Sequence, residues 1–158
     1  MQPANQGVDV MEYLGKILLV EDEESVRYSL ELALSTSGYN VITASDGIKG
    51  LSWIMVSSRF TDTFDLMIMD VMMPMMNGVL LLNKLKQFKM TIPTLVITGC
   101  SDAETLAKLR ESGVEYILKK PFEPNEFLAK VEELMSKNPK KTRANGELSS
   151  AKSAPGKS

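Results

Sequence analysis

The sequence predicts an α/β fold in which a parallel five-stranded sheet is covered by helices on both faces. Five short and continuous apolar runs recur along the chain, as expected for strands buried on both sides. The runs end at positions 20, 43, 69, 98 and 119. The spacing between successive ends is long enough for a helix with two loops, which is the connection that parallel strands need. We therefore expect a doubly wound (βα)5 domain with right-handed crossovers.

The predicted strands are the five apolar runs, bounded by polar or turn-forming residues. In chain order they cover 16–20, 39–43, 64–69, 94–98 and 115–119.

The segments between the runs have apolar residues three or four positions apart, which is typical of amphipathic helices. The first ends near Gly38, the fourth opens with a capping-box pattern at 101–104, and the fifth begins near Pro124. The apolar positions in chain order are Val26, Leu30, Ala33 and Leu34; Ile48, Leu51, Ile54 and Met55; Leu81, Leu82, Leu85 and Phe88; Leu106 and Ala107; and Phe127, Leu128, Val131, Leu134 and Met135.

The charge of the chain is unevenly distributed. Residues 138–158 hold five basic residues and one acidic residue, whereas residues 1–137 hold 13 basic and 19 acidic residues. Residues 1–14 have no pattern and are expected to form a flexible extension, and 138–158 a disordered basic tail. The domain is thus expected at 15–137. We do not expect nucleic-acid binding, because the tail has no interleaved aromatic residues and the rest of the chain is acidic.

Two residue types are scarce enough to exclude whole classes of site. The 158 residues include no histidine and one cysteine, Cys100, which rules out a Ser–His or Cys–His dyad, a histidine-ligated zinc site and an intrachain disulfide. No signal peptide is apparent, and no apolar run is long enough to span a membrane. We therefore expect a soluble, cytoplasmic protein without membrane contact.

Charged and hydroxyl side chains stand at the ends of four predicted strands. Glu21 and Asp22 follow the first strand, Asp70 the third and Lys120 the fifth, while Thr98 ends the fourth. Ligands bind beyond the carboxyl ends of strands in open α/β sheets, so these side chains should converge. Crowded carboxylates suit a hard divalent cation such as Mg²⁺, and the added lysine and hydroxyl indicate phosphoryl transfer with a carboxylate as possible acceptor.

Four segments carry a resemblance to a known family. They are 17–23 (ILLVEDE), 66–74 (LMIMDVMMP) followed by Asn77-Gly78, 97–99 (ITG) and 120–122 (KPF). In this order the segments closely resemble the motifs of response-regulator receiver domains of two-component signalling, over about residues 15–137. The resemblance implies a flavodoxin-like three-layer sandwich with strand order 2-1-3-4-5.

The resemblance also implies roles for the acidic residues. Asp70 would be the phosphoacceptor. Glu21, Asp22 and Asp70 would hold Mg²⁺, or Mn²⁺ in its place, together with the backbone carbonyl of Met72.

Further roles concern the phosphoryl group and the switch region. Thr98 would hydrogen-bond the phosphoryl group, Lys120 would pair with it, and Gly99 fits the small residue expected beside it. The family's usual aromatic switch position is occupied by Ile117, while Tyr116 lies one residue earlier. Adjacent strand residues point to opposite faces, so Tyr116 is not expected to replace it directly.

By the same resemblance, the phosphoryl group would come from a sensor histidine kinase, a phosphotransfer protein or a small phosphodonor. Phosphorylation would alter a docking face for a downstream protein, made of the fourth helix, fifth strand and fifth helix (102–137). The length leaves no room for an output domain, so we expect a stand-alone receiver. It would be no enzyme beyond its own phosphoryl transfer and autodephosphorylation.

Several other interpretations stay open. The acidic pair could merely cap the first helix. The chain could be a Mg²⁺-dependent phosphatase acting through Asp70, although no second acid follows that residue closely, or an interaction module that is never phosphorylated. Six methionines within 67–76 could bind Cu(I), but thioethers more often fill gaps in a core.

Overall fold

The computed structural model describes residues 12–138, which form five strands and five helices in strict alternation. The strands are β1 (Lys16–Val20), β2 (Asn40–Ala44), β3 (Leu66–Asp70), β4 (Thr94–Thr98) and β5 (Tyr116–Lys119). The helices are α1 (Glu24–Thr36), α2 (Gly47–Arg59), α3 (Gly78–Gln87), α4 (Ala103–Glu111) and α5 (Pro124–Ser136).

The strands form one sheet in the order β2-β1-β3-β4-β5, and every neighbouring pair is parallel. This confirms the predicted fold class and strand order. The ranges of β1 and β4 coincide with the predicted ranges, and the ends of the other three strands lie within two residues of theirs. Continuous apolar runs thus located the strands well, because both faces of the sheet are covered.

Two apolar clusters, one on each face of the sheet, make the core. Ile17 and Leu19 of β1 face the layer of α1 and α5, while Leu18 and Val20 face the layer of α2, α3 and α4. The same alternation runs through β3, β4 and β5, since successive strand residues point to opposite faces. The result is a three-layer sandwich whose connecting loops lie at the two ends of the strands.

Three residues predicted on buried helix faces, Ile48, Phe88 and Ala107, are instead exposed. Ile48 of α2 is 44% exposed, because that helix buries Gly47, Gly50 and Ile54 against the sheet. A β-carbon at Gly50 would lie 3.0 Å from Val20, so the glycine is what lets this side of the helix approach β1.

The ends of two other helices also differ from the prediction. Phe88 is the residue that caps the end of α3, and its position past the last turn leaves it 48% exposed. The predicted capping box beginning at Ser101 is wrong. Asp102 is the N-cap and its carboxylate accepts hydrogen bonds from the backbone N–H and the hydroxyl of Thr105, so the helix begins one residue later.

Most of the predicted extension (1–14) and of the predicted tail (138–158) lies outside the described residues. Asn138, the first residue of that tail, is buried, and its side-chain amide donates a hydrogen bond to the Asp65 carbonyl oxygen at 3.2 Å. Across positions 12–138, no helix is long and apolar enough to cross a membrane.

Gly47 provides a test of how the turn before α2 is packed. A β-carbon there would lie 2.5 Å from the Met76 backbone oxygen, whereas one at Gly99 would meet nothing within 4 Å. We expect Gly47→Ala to lower the free energy of unfolding by about 1–2 kcal/mol, since the clash outweighs the gain from a less flexible unfolded chain. Urea denaturation followed by circular dichroism measures this. Gly99→Ala is the control, and equal losses in the two variants would contradict the interpretation.

Candidate functional site

Strand ends bring the predicted site residues to one edge of the sheet. Asp70 and Thr98 are the last residues of the neighbouring strands β3 and β4. Glu21 follows the last residue of β1, and Lys120 follows the last residue of β5. Because all strands run in the same direction, the four side chains start from the same end of the sheet.

Three carboxylates converge at this edge. Glu21, Asp22 and Asp70 each offer an oxygen within 4.8 Å of the other two. Glu21 is fully buried, Asp70 is 7% exposed and Asp22 is exposed to solvent. Two backbone N–H groups orient the buried pair: that of Glu23 donates to Glu21 Oε1 and that of Met72 to Asp70 Oδ1, both at 3.1 Å.

The Lys120 ammonium bridges the two buried carboxylates. Its Nζ lies 2.7 Å from Asp70 Oδ2 and 3.1 Å from Glu21 Oε2. The Lys120 backbone N–H donates to the Thr98 carbonyl oxygen at 2.9 Å, and the peptide bond to Pro121 is cis. The lysine therefore links β5 electrostatically to both β1 and β3.

The surroundings of these groups change their affinities for protons. Burial raises the pKa of Glu21 above its ordinary value, although the Glu23 N–H and Lys120 act in the opposite direction. Burial lowers the pKa of Lys120, but its hydrogen bonds to Asp70 and Glu21 outweigh this and leave the pKa above the ordinary value. Lys120 is therefore charged at neutral pH. With all three acids ionised, the cluster of three carboxylates and one ammonium has a charge of −2.

Thr98 and Gly99 shape the other side of the site. Thr98 is fully buried, and its Oγ1 accepts a hydrogen bond from the Cys100 backbone N–H at 3.0 Å. Nothing lies within 4 Å of the position that a β-carbon of Gly99 would occupy. The end of β4 thus combines a buried threonine hydroxyl with a neighbouring glycine position that has room for a larger group.

Tyr116 and Ile117 lie on opposite faces of β5. The Tyr116 ring is 37% exposed, and the ammonium of Lys130 from α5 lies 3.7 Å from its centroid. Ile117 packs on the cluster that faces α2, α3 and α4. The aromatic ring is therefore associated with α5, while the side chain at the family's switch position belongs to the other layer.

The methionines of residues 67–76 are divided between the core and the surface. Met67, Met69 and Met73 are buried in the cluster facing α2, α3 and α4, whereas Met72 is 66% and Met75 79% exposed. The buried ones fill the core in the manner expected of flexible thioethers.

Arg27 is a contributor to the site that sequence reasoning missed. Its guanidinium donates hydrogen bonds to the carbonyl oxygens of Glu21 at 2.8 Å and Asp22 at 3.3 Å. These bonds fix the backbone that carries two of the carboxylates. A cation in the first turns of α1, close in sequence to the acidic turn, was the available signal.

Gly78 is a second missed contributor. Its N–H donates to the Val71 carbonyl oxygen at 2.9 Å, and a β-carbon at Gly78 would lie 3.1 Å from the Asp70 carbonyl oxygen. The close approach holds the loop after Asp70 in place. Its signal was the Asn-Gly pair of the motif at 77–78.

Comparisons with known proteins agree with this geometry. A family model described as "Response regulator receiver domain" matches residues 17–132. The alkaline phosphatase synthesis transcriptional regulatory protein PhoP of Bacillus subtilis is 36% identical over 123 residues, which are 78% of this chain and 49% of PhoP. The response regulator ArlR of Staphylococcus aureus is 36% identical over 127 residues, or 80% of this chain and 55% of ArlR. The chain thus spans about half the length of these relatives.

Solved structures show the same fold. A CheY-like response regulator receiver domain protein from Methanospirillum hungatei superposes with a TM-score of 0.72 at 26% identity, covering 80% of this chain and 98% of that one. The chemotaxis protein CheY4 of Vibrio cholerae gives a TM-score of 0.68 at 29% identity, covering 76% and 98%.

Removing the bridging ammonium tests the electrostatics of the site. Lys120→Met should lower the free energy of unfolding by about 2–4 kcal/mol near neutral pH, because two largely buried carboxylates lose their shared cation. Without that cation the pKa of Glu21 rises further, so the folded state binds a proton more readily than the unfolded state. The loss should therefore shrink as the pH falls toward the ordinary carboxylate range.

Urea denaturation at several pH values measures this effect. Lys119→Met, which removes an exposed neighbouring ammonium, is the matched control. A loss in Lys120→Met that does not depend on pH would contradict the electrostatic explanation.

Proposed function

The chain belongs to the response-regulator receiver family, and from this premise we propose that Asp70 accepts a phosphoryl group from a partner phosphohistidine. Receiver domains of two-component systems receive phosphoryl groups from histidine kinases, generally bind Mg²⁺ and serve in phosphorylation-dependent signalling rather than as classical enzymes. The proposal assigns these family properties to individual residues of this chain.

The position of Asp70 at the end of the central strand carries the proposal. On one side, β1 brings Glu21 and Asp22 within 4.8 Å of the Asp70 carboxylate. On the other side, β4 ends in the buried Thr98. Lys120 contacts Asp70 directly at 2.7 Å. Asp70 thus lies between the acidic residues Glu21 and Asp22, which attract cations, and the residues Thr98 and Lys120, which can bind an anion.

The donor set fits Mg²⁺. Glu21, Asp22 and Asp70 supply oxygen ligands, the kind that this hard cation prefers, and their incomplete neutralisation by Lys120 leaves a charge that a divalent cation would balance. We assign the Met72 backbone carbonyl as a further ligand, with Mn²⁺ as a possible substitute for Mg²⁺. When bound, the cation supplies positive charge that offsets the phosphoryl oxygens.

The chain's own residues would perform the remaining steps. A bond forms between an Asp70 carboxylate oxygen and phosphorus while the phosphorus–nitrogen bond of the donor histidine breaks. The Lys120 ammonium can move from Asp70 Oδ2 to pair with a phosphoryl oxygen. Thr98, whose oxygen already accepts from Cys100, can donate its hydroxyl proton to another.

The output is assigned to a downstream protein that docks at residues 102–137, on α4, β5 and α5. One relative is a transcriptional regulatory protein, and this chain corresponds to about half of it, so the activity of the whole relative is not carried over. That the chain contacts no nucleic acid stays a prediction.

Asp70→Asn tests the phosphoacceptor. We expect it to abolish Mg²⁺-dependent, acid-labile phosphorylation by acetyl phosphate or a histidine kinase, because an amide cannot form the acyl phosphate. Intact-mass spectrometry at neutral pH measures the adduct. Asp102→Asn, which removes one charge but keeps an N-cap residue, should label like the wild type. Undiminished labelling of Asp70→Asn would refute the assignment.

Asp22→Asn tests the cation site. Its exposed carboxylate can be replaced with little effect on folding, and we expect at least about a tenfold loss of Mg²⁺ affinity from the missing charge. Titration of amide chemical shifts with Mg²⁺ gives the affinity. Glu23→Gln removes the neighbouring charge, which is not among the three convergent acids. Equal losses of Mg²⁺ affinity in both variants would show that Asp22 contributes only its negative charge to the surroundings and is not a ligand.

A further inference from the structure

The outer face of α2 is apolar although it faces solvent. Four large apolar side chains are exposed there: Ile48 at 44%, Trp53 at 44%, Val56 at 50% and Phe60, just past the helix, at 72%. The opposite face of the same helix is buried against the sheet. A helix that covers a core on one side ordinarily carries polar residues on the other. The pattern therefore indicates a second surface that another molecule covers.

The two halves of this outer face differ in bulk. Apart from Ile48, the amino-terminal half carries small or flexible groups. The Lys49 ammonium folds back to donate to Ser45 Oγ at 2.8 Å, and Ser52 follows one turn later. Bulky side chains, those of Trp53, Val56 and Phe60, occupy the carboxyl-terminal half. Between the halves lies a shallow cavity of about 300 Å³, lined by Lys49, Ser52, Trp53 and Val56.

We propose that this face binds a second copy of the chain, with the two α2 helices packed antiparallel about a two-fold axis. When the two-fold axis passes between Ser52 and Trp53, Ser52 of one copy lies opposite Trp53 of the other. The same register sets Val56 against Lys49 and Phe60 against Ser45. Each of these three bulky groups, Trp53, Val56 and Phe60, then meets a small or flexible one, and the indole enters the shallow cavity. A parallel pair would place bulk against bulk.

The charges of α2 fit the antiparallel register as well. Arg59, in the last turn, comes opposite Asp46, the N-cap, of the second copy. The Asp46 carboxylate accepts from the Lys49 N–H through Oδ1, and its Oδ2 lies 3.9 Å from the Lys49 ammonium, which leaves that oxygen able to accept from a guanidinium. The opposed helix dipoles attract, whereas a parallel pair would bring two Arg59 side chains together.

This interface is separate from the proposed phosphorylation function. The α2 helix lies in the layer beside the β2 edge of the sheet, while the proposed docking face surrounds β5 at the other edge. One helix pair buries little area compared with a stable interface, so the dimer forms at high protein concentration.

Concentration-dependent association of the full chain tests the proposal. Trp53 is the sole tryptophan, so its emission reports on this face alone. From the micromolar to the millimolar range we expect sedimentation equilibrium to show a monomer–dimer equilibrium and the emission to shift to shorter wavelengths. Val56→Glu should weaken dimerisation at least about tenfold. Leu32→Glu, at a 54% exposed position on α1, should not. A monomer at every concentration overturns the proposal, as does equal weakening by both variants.

Cross-linking tests the register. In a Cys100→Ser background, Ser52→Cys lies beside the two-fold axis and should form a disulfide-linked dimer under mild oxidation. Ser58→Cys is the control, since it is an exposed serine on the same helix outside the paired face. Equal cross-linking of the two variants, or none with Ser52→Cys, would overturn the antiparallel arrangement.

Discussion

The close approach of two buried carboxylates and one ammonium is the interaction on which the rest of the site depends. A parallel sheet with this register brings Glu21 and Asp70 to one edge, where burial and mutual repulsion oppose ionisation of Glu21. Lys120 reduces that cost through ion pairs of 2.7 and 3.1 Å. The Glu23 N–H reduces it further, and the Met72 N–H donates to the Asp70 carboxylate. The strand ends would otherwise be a source of instability.

Lys120 neutralises the negative charge of the three carboxylates only in part, which suits a site whose charge changes on phosphorylation. One ammonium facing three carboxylates leaves negative charge that attracts a divalent cation, and a phosphoryl group would then compete for the same ammonium. Lys120 also donates its backbone N–H to the Thr98 carbonyl oxygen. A change of charge at Asp70 would therefore act on the ends of both β4 and β5 through one residue, Lys120.

The sequence allowed the strands and the convergent side chains to be predicted, because continuous apolar runs and the polar residues ending them are local signals. The predictions failed where tertiary packing decides. Helical spacing predicted Ile48 as buried, but Gly50 lets the adjacent face of α2 approach Val20. Arg27 was missed because a long side chain reaching back over five or six residues leaves no periodic signal.

If Ile117 occupies the switch position that the family resemblance implies, its packing would give this chain a particular route from the site to the proposed docking face. In the register of β4 and β5, Ile117 lies beside Val96, and Val96 and Thr98 alternate onto the same face of β4. A displacement of Thr98 would therefore act on the layer that contains α4, through contacts among aliphatic side chains. Tyr116 lies on the other face, where Lys130 holds its ring against α5. Coupling through Ile117 and coupling through Tyr116 would thus reach different helices of the proposed docking face.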